Sequence, residues 1–516
     1  TAASSRASRI AAAAEPAAET ATPAGLPKKE DLYHAIFADG VRITQRARTL
    51  SGDNLALWVR LLDGALPDGA VPSGRRADAA RHASPSSSAP ASHAGAAPAL
   101  AAAAAAAALQ PEPEGADFPS PASAFGEDDI VLTWKGTLVV RPIEVAPDEL
   151  QGGNHLALRV TADKTGHVAF ADDQTGITGR CVWVGYRVTT QDLTLAGPGP
   201  AAVTVSTNDG KSVQVGRMQL NLGSGVGFIP GAGVLSEAQR RITWTDQSDL
   251  QFEVKDGALT GALREASFSG NVQARVPEGG TVTGDFLRAV FTSTQRRATA
   301  LARLIVEGRA VADGGQDGAL SADKLDLLFQ VPEDGRAGDP EPRVLTAVGN
   351  VRAVRGENSL AGEFVEATLR PVRAGDADAD SEAIRKVAVE DVRALGGVRL
   401  RGERGLEAQT EELFVNVPRQ TGRLAGRGSF IGQGGDRIYG SNIELDGRES
   451  VMNVIGEGKF VHQADGRAGP LTATWTRSMS FNDRSGVVEC HGDVVASTDP
   501  AGLKVELTRG EHLRLE

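Results

Sequence analysis

The side chains in this sequence that could bind a metal or transfer a proton are scattered along the chain. The eight histidines are His34, His82, His93, His155, His167, His462, His491 and His512. A histidine stands at ligand spacing from another histidine or cysteine at Cys490-His491 alone. Successive residues of a strand point to opposite faces, so these two side chains diverge. The sequence therefore predicts no metal site and no cofactor.

Paired carboxylates, which serve acid–base chemistry in glycosidases, occur three times. The pairs are Asp128-Asp129, Asp172-Asp173 and Glu411-Glu412. Because the chain contains 66 acidic residues, adjacent acids arise by chance and are typical of solvated turns. No Gly-x-Ser-x-Gly motif is present, and the glycine-rich run 220–235 lacks the Gly-Lys-Ser/Thr ending of a phosphate-binding loop. We interpret that run as a β-turn or a flexible lip, and we expect a protein without catalytic residues.

The composition favours many short strands joined by turns. The 516 residues include 61 Gly and 25 Pro, but only three Tyr and five Trp. No long helical periodicity occurs, and the helical turns expected at 235–241 and 380–386 are short. The net charge of −12 comes from interspersed residues of both signs, which argues against nucleic acid as a partner. No apolar stretch reaches the roughly 18–20 residues of a membrane-spanning helix.

Five segments follow from the local composition. Residues 1–30 contain almost no large apolar side chains and are predicted to be disordered. Residues 31–64 form a first repeat-like strand pair, and 65–125 form a linker rich in Ala, Pro and Ser. Residues 126–260 are predicted to be a β-rich domain, and 261–516 to be a β-repeat array.

The array repeats one pattern. An apolar strand passes through a Gly, continues as Val-x-Ala or Val-x-Leu, turns at Gly and returns as Leu-x-(Ala/Gly)-(Asp/Glu)-x-(Leu/Phe). The repeat glycines are Gly270, Gly308, Gly349 and Gly396, with weaker copies near Gly458 and Gly492 and in 35–63. Their spacing suits two strands and two connections per unit.

A glycine inside a strand costs about 0.5–1 kcal/mol relative to alanine, and it commonly marks a bulge or bend. Glycine at the same place in every unit would bend each strand at the same height and fold the sheet over an interior. Arg399 and Arg401 are predicted to point outward. The residues predicted to point inward are Val398, Leu400, Leu413, Val415 and Val417.

These repeats resemble the organic-solvent-tolerance-like (OstA-like) family of periplasmic lipopolysaccharide-transport bridge proteins of Gram-negative bacteria. The closest matches are Gly349-Asn350-Val351 with Leu360 to Leu369, Gly270-Asn271-Val272 with Val282 to Val290, and Gly308 with Leu320 to Leu325. The resemblance implies an all-β, elongated jellyroll or β-taco array of antiparallel strand pairs, open and V-shaped. Its apolar interior would hold lipid or lipopolysaccharide, and its sheet edges would pair with other β-jellyroll proteins of the periplasm or cell envelope.

On this resemblance, the protein binds or transports lipid in outer-membrane assembly and is not an enzyme. The candidate lipid-groove residues are Val272, Val351, Val398, Leu400, Leu413, Val415, Trp475 and Phe481. The same repeats would also build a closed β-solenoid scaffold or adhesin, because a lipid groove and a hydrophobic core use the same residue types. A polysaccharide lyase or hydrolase on a β-helix is a further alternative and requires charged residues converging on one face.

The two cysteines, Cys181 and Cys490, are far apart in the sequence. They could form one disulfide, remain free or lie buried as small apolar groups. We expect two buried thiols. The aromatic residues expected to lie in strands are Trp134, Trp183, Trp244, Phe252, Trp475 and Phe481.

Overall fold

The computed structural model describes most of the chain from residue 30 onward. The described residues are 30–45, 48–62, 131–151, 154–162, 166–173, 176–208, 210–238, 240–255, 258–275, 280–292, 300–315, 318–331, 340–371, 387–463, 471–498 and 505–515. The linker 65–125 and the helical turn predicted at 380–386 lie outside them. Of the segment 1–30 predicted to be disordered, residues 1–29 also lie outside them, and Glu30 begins the first strand.

The described residues form antiparallel strands and two short 3₁₀ turns, Asp148–Leu150 and Glu403–Gly405. The first eighteen strands are β1 (Glu30–Phe37), β2 (Val41–Gln45), β3 (Arg48–Gly52), β4 (Asn54–Leu62), β5 (Val131–Trp134), β6 (Leu138–Pro142), β7 (Leu156–Thr161), β8 (Val168–Asp172), β9 (Ile177–Cys181), β10 (Trp183–Arg187), β11 (Asp192–Ala196), β12 (Val203–Thr207), β13 (Lys211–Val215), β14 (Arg217–Asn221), β15 (Val226–Pro230), β16 (Gly233–Glu237), β17 (Arg240–Trp244) and β18 (Gln247–Lys255).

The remaining strands include the long ones of the repeat array. They are β19 (Ala258–Arg275), β20 (Thr281–Thr292), β21 (Ala300–Asp313), β22 (Ala319–Gln330), β23 (Glu341–Arg355), β24 (Asn358–Pro371), β25 (Val387–Arg401), β26 (Glu407–Asn416), β27 (Thr421–Ala425), β28 (Phe430–Gln433), β29 (Asp436–Gly440), β30 (Asn442–Asp446), β31 (Val451–Ile455), β32 (Gly458–His462), β33 (Leu471–Trp475), β34 (Ser478–Asn482), β35 (Val487–Thr498) and β36 (Val505–Leu515). The predicted all-β, elongated fold is confirmed.

The strands pair in two ladders. Ladder A begins as β6-β1-β4-β7-β10-β11-β14-β15-β18. Ladder B begins as β5-β2-β3-β8-β9-β12-β13-β16-β17. Both ladders continue into β19, whose first part pairs with β18 and whose last residues pair with β17. Strands β19 to β26 then each take part in both ladders.

The long strands pass from one ladder to the other at a line of bulges, which we call the crease. The bulges lie in the glycine-containing strands β19, β21, β23 and β25. The repeat glycine and the residue after it both have positive φ, as in Gly308 (76°) with Arg309 (51°) and Gly349 (76°) with Asn350 (50°). The pairing register shifts at these positions, for example between Glu307 and Ala310. The bend predicted at the repeat glycines is confirmed.

The acid of the repeat motif lies against the glycine of the neighbouring strand. A Cβ added to Gly308 would lie 2.5 Å from Asp285 Oδ2 and 2.7 Å from Asp285 Cβ. Gly349 has the same relation to Asp323, whose carboxylate also accepts a 3.0 Å hydrogen bond from Asn350. The acid of the motif therefore packs against the glycine of the neighbouring strand. This contact fixes the position along each strand at which the crease occurs.

The ladders separate again after β26, which pairs with both β27 and β28. Ladder A continues through β27-β30-β31-β34 and ladder B through β28-β29-β32-β33, and both rejoin in β35. The ten strands β26 to β35 thus close a ring. The last strand, β36, pairs with β35 along both ladders.

The ladders face one another across a continuous hydrophobic core that runs from Ala35 to Val494. A small second cluster consists of Trp58, Leu150 and Ala157. Ring contacts bridge them: Trp244 of ladder B lies 4.9 Å from Phe268 of ladder A, measured between centroids. Phe37 of β1 and Trp134 of β5 are in edge contact at 4.9 Å. The sheet is therefore folded over its own inner face.

Several local predictions are corrected. The described part of 31–64, which ends at residue 62, contains four strands rather than one pair, because β1 pairs with β4 in one ladder and β2 with β3 in the other. The helical turn expected at 235–241 is wrong, since β16 and β17 pair there as a hairpin. The division placed at 260/261 falls inside β19. Val417, expected inside, is 46% exposed because β26 ends at Asn416.

The predicted thiols are confirmed as free and buried. Burial raises the pKa of Cys181 to about 12 and that of Cys490 to about 11. The six aromatic residues expected in strands all lie in strands. Arg399 and Arg401, expected outside, are exposed.

Candidate functional site

All eight predicted groove residues lie on the inner face of the folded sheet. Buried members of the core are Val272, Val351, Val398, Leu413 and Trp475. Leu400, Val415 and Phe481 are half-buried and pack against that core. Alternation explains these positions, since β26 exposes Glu407 and Gln409 while it buries Ala408 and Thr410. The phase changes at the crease, so that Leu413 also points inward.

One row of side chains in ladder A runs along the interior without a polar residue, from β19 to β35. Each member is the register partner of the next, and each is buried. This central rung consists of Phe268, Leu287, Val306, Leu325, Ala347, Val365, Ala394, Leu413, Leu424, Ile443, Val454, Met479 and Cys490. At about 4.8 Å per strand it extends for roughly 55–60 Å.

The crease itself is filled by protein. Inward residues next to it in ladder B pair with a small partner: Val272 with Gly284, and Val351 with Gly362. A Cβ at Gly284 would lie 2.5 Å from Val306 Cγ1, a side chain of the central rung. The two arms therefore approach closely at the crease, and space for another molecule has to lie farther along them.

Rows of leucine flank the crease and are only half-buried, and we call them the flanking rungs. In ladder A, Leu304, Leu327 and Leu345 are register partners. In ladder B, the half-buried leucines are Leu320, Leu360 and Leu400. Leu360 pairs with Leu400, and Ala353 stands between Leu320 and Leu360. The exposed fraction of the inner-face side chains thus increases with distance from the crease. We call the two ladders on either side of the crease the arms, and the opening between their far ends the mouth. Apolar surface is accessible toward the mouth.

Trp475 is fixed by a glycine and a carbonyl. Its ring stands against Gly458, its partner across β32 and β33, and its indole N–H donates a 3.1 Å hydrogen bond to the Gly456 carbonyl. Trp244 repeats this arrangement with Gly233 and the Gly231 carbonyl. Trp244 was not predicted as a groove residue. The Gly231-Ala232-Gly233 motif, which contains its hairpin partner Gly233, was a signal in the sequence that could have found it.

The N-terminal edge of the folded sheet is apolar and exposed. Among the described residues, β6 pairs only with β1, and β5 only with β2. Every residue of β6 is exposed, including Leu138 (44%), Val139 (49%) and Val140 (57%). An exposed edge strand of this kind offers hydrogen-bonding groups and apolar side chains to another strand.

The carboxylate pairs are not brought together. Asp172 is buried in an ion pair with Arg48, at 3.2 Å between Oδ2 and Nε, while Asp173 is exposed. Glu412 pairs with Arg393 on the outer face at 3.0 Å, and Glu411 is exposed. Asp128-Asp129 lies outside the described residues. The glycine-rich run 220–235 forms turns between β14, β15 and β16, as predicted.

A side-chain cluster that the sequence analysis missed lies on the outer face of the last two strands. His491 of β35 is the register partner of His512 of β36, and Glu489 lies beside them. The residue before a repeat glycine faces the residue after the repeat acid, as Glu307 faces Lys324. Because Gly492 and Glu511 are the glycine and acid of the last repeat, this rule would have found the pair.

No protein-family model and no curated protein matches the sequence. Among the described residues, no helix has both the length and the apolar character needed to cross a bilayer.

Proposed function

We propose that the protein binds lipid of the lipopolysaccharide class without chemistry and transports it across the bacterial periplasm in outer-membrane assembly. The observation that carries this proposal is the apolar central rung of ladder A, which runs unbroken along the interior. The central rung contains no polar side chain across the strands from β19 to β35, and leucines flank it on both arms. Acyl chains have no polar groups and match such a surface.

The half-buried leucines retain apolar surface that a bound acyl chain would bury. Leu327 and Leu345 retain exposed apolar surface on the inner face of ladder A, and Leu360 does so in ladder B. Burying a methylene contributes about 0.8 kcal/mol, so a chain of about ten methylenes gains about 8 kcal/mol before ordering costs. Because successive strands carry the same surface, a chain can move along the array with little change in free energy.

The apolar edge supports the proposed partners. We infer that β6 pairs with an edge strand of another β-jellyroll protein of the cell envelope, since β-augmentation uses the free backbone groups of an edge strand. Joining another edge strand to β6 would extend ladder A beyond its N-terminal edge. The exposed side chains of Leu138 and Val140 would then be covered.

A closed structural scaffold is the second candidate, favoured by the dense packing of the ring β26 to β35 and of the crease. Ile443, Val454 and Trp475 of the ring are at most 2% exposed. At the crease, Val272 and Val351 each face a glycine. A scaffold would use the same interior with no molecule in the mouth. The two functions differ in whether the flanking rungs contact a ligand.

Adjacent leucines on opposite faces of β22 separate these candidates. Leu327 points inward and is half-buried, whereas Leu328 points outward and is 43% exposed. The full-length chain is purified in the variants Leu327→Asp and Leu328→Asp, and bound lipid is measured by native mass spectrometry after incubation with lipopolysaccharide. A carboxylate facing an acyl chain costs several kcal/mol, so Leu327→Asp is expected to lower binding about tenfold or more, with Leu328→Asp unchanged.

Wild-type protein that carries no acylated lipid, and binds none when lipopolysaccharide is added, contradicts the lipid function and leaves the scaffold. Equal loss in the two variants also contradicts it, because the flanking rung would then have no special role. Circular dichroism on both variants checks that each retains its strands.

A further inference from the structure

The last two strands bring two imidazoles and a carboxylate together on the outer face. Glu489 and His491 lie on the same side of β35, separated by Cys490, which points into the core and is fully buried. His512 faces His491 from β36, with ring centroids 4.7 Å apart and ring planes 15° apart. One ligand atom from each of the three side chains lies within 4.8 Å of the other two.

This set of donor atoms is that of a transition-metal site. Imidazole nitrogens bind Zn²⁺, Cu²⁺ and Ni²⁺, and two histidines with one carboxylate form a known three-ligand Zn²⁺ set that leaves a position open to water. Tetrahedral ligands at about 2.1 Å from a metal lie roughly 3.4 Å apart, so the donor atoms, which lie within 4.8 Å of one another, must approach by up to about 1.4 Å. His512 is exposed and His491 half-buried, so both rings have room to turn.

The neighbouring charge competes with an ion but does not prevent its binding. Arg514 lies opposite Glu489 across the strand pair, with Nη1 3.5 Å from Glu489 Oε1. The Arg514 side chain is 53% exposed, and ion pairs at such positions contribute about 0–1 kcal/mol. Three simultaneous bonds to a divalent ion exceed that interaction, so the arginine is displaced when the metal binds.

We propose that Glu489, His491 and His512 bind a divalent transition-metal ion, with Zn²⁺ as the ion that fits best. The ligands come from two strands, so the ion cross-links β36 to β35. Among the described residues β36 pairs with β35 alone, so metal binding fixes this edge of the described sheet. An edge held in register is a better template for a further strand than one that frays.

The test uses the full-length chain, stripped of metal with a chelator and titrated with ZnCl₂ by isothermal titration calorimetry. The double variant His491→Asn/His512→Asn is expected to lose the binding, and Glu489→Gln to weaken it about tenfold or more. The matched control is His462→Asn. His462 lies at the end of β32, where its Nδ1 is hydrogen-bonded to Asp436 Oδ1 at 2.9 Å. The His462→Asn variant should bind Zn²⁺ as the wild type does.

A fourth variant guards against loss of folding as the explanation. Arg514→Gln removes the competing cation, so it is expected to tighten Zn²⁺ binding severalfold, an outcome that damage to the fold does not produce. Hydrogen exchange of β36 amides should slow on adding Zn²⁺, by about a hundredfold at an ion concentration one hundred times the dissociation constant. Zn²⁺ binding that survives the double variant, no binding by wild type, or unchanged exchange in β36 each overturns the proposal.

Discussion

Replacing a crease glycine by alanine tests why the repeat needs glycine at this place. Gly308 has a φ of +76°, and a Cβ there would lie 2.5 to 2.9 Å from Asp285 Oδ2, Cβ and Cγ. Gly356, in the turn between β23 and β24, has a φ of +57° and nothing within 4 Å of an added Cβ. The two positions share left-handed backbone and differ in the space around them.

The difference between the two variants isolates the contact with the acid. An L-residue in the left-handed region costs about 1–2 kcal/mol at either position. Overlap with a packed neighbour adds about 1–3 kcal/mol, and this cost applies to Gly308→Ala alone. Gly308→Ala is therefore expected to destabilise the crease by about 2–5 kcal/mol in total, against about 1–2 kcal/mol for the turn at Gly356→Ala.

Native-state hydrogen exchange measures these costs where they arise, since an array of repeats opens locally rather than all at once. For each variant, the acceleration of exchange is measured relative to wild type, in β21 and β22 for Gly308→Ala and in β23 and β24 for Gly356→Ala. The acceleration is expected to be about 5-fold to 150-fold larger in Gly308→Ala. Equal acceleration in the two variants would show that the backbone angle alone selects glycine and that Asp285 plays no part.

Two further changes test the interior. Asp172→Ala removes the buried carboxylate that pairs with Arg48 and should cost about 3 kcal/mol in urea unfolding. The control Glu265→Ala removes an exposed carboxylate and should cost about 1 kcal/mol or less. Similar costs in the two variants would contradict the role of burial. Burial raises the pKa of Cys181 and Cys490 from the usual 9.0 to about 12 and about 11. Folding therefore favours their neutral thiols, and this stability is complete below about pH 9 and is lost as the pH rises through 11 to 12. The urea midpoint should fall less over that range in the Cys181→Ala/Cys490→Ala variant than in wild type, and equal falls would refute the assignment to the thiols.

The repeat array could be predicted because its signals are local. The glycine, the acid and the alternation of apolar residues are each visible within one strand, and together they placed Val351 and Leu413 on the inner face before any pairing was known. Tertiary structure did not override these preferences, because every long strand meets the same neighbours.

Residues 31–260 were predicted less well for a physical reason. In this part each ladder has its own strands of about five residues, and the chain passes between ladders through very short links such as Val182 or Gly216. These links carry no glycine–acid signature, so the sequence suggested β-structure without showing the two ladders. The cluster at His491 was missed because its partner, His512, is a neighbour only through the register of β35 and β36.

The paired ladders have a mechanical consequence. Tension applied from one edge of the array to the other passes through successive strands in series, while at every step the two ladders share the load in parallel. Strand β24 holds β23 along most of its length, whereas β26 holds β28 only through Glu407–Gln409. An array under tension breaks at its weakest strand pairing. Adding repeats therefore lengthens the array without lowering the force that it withstands.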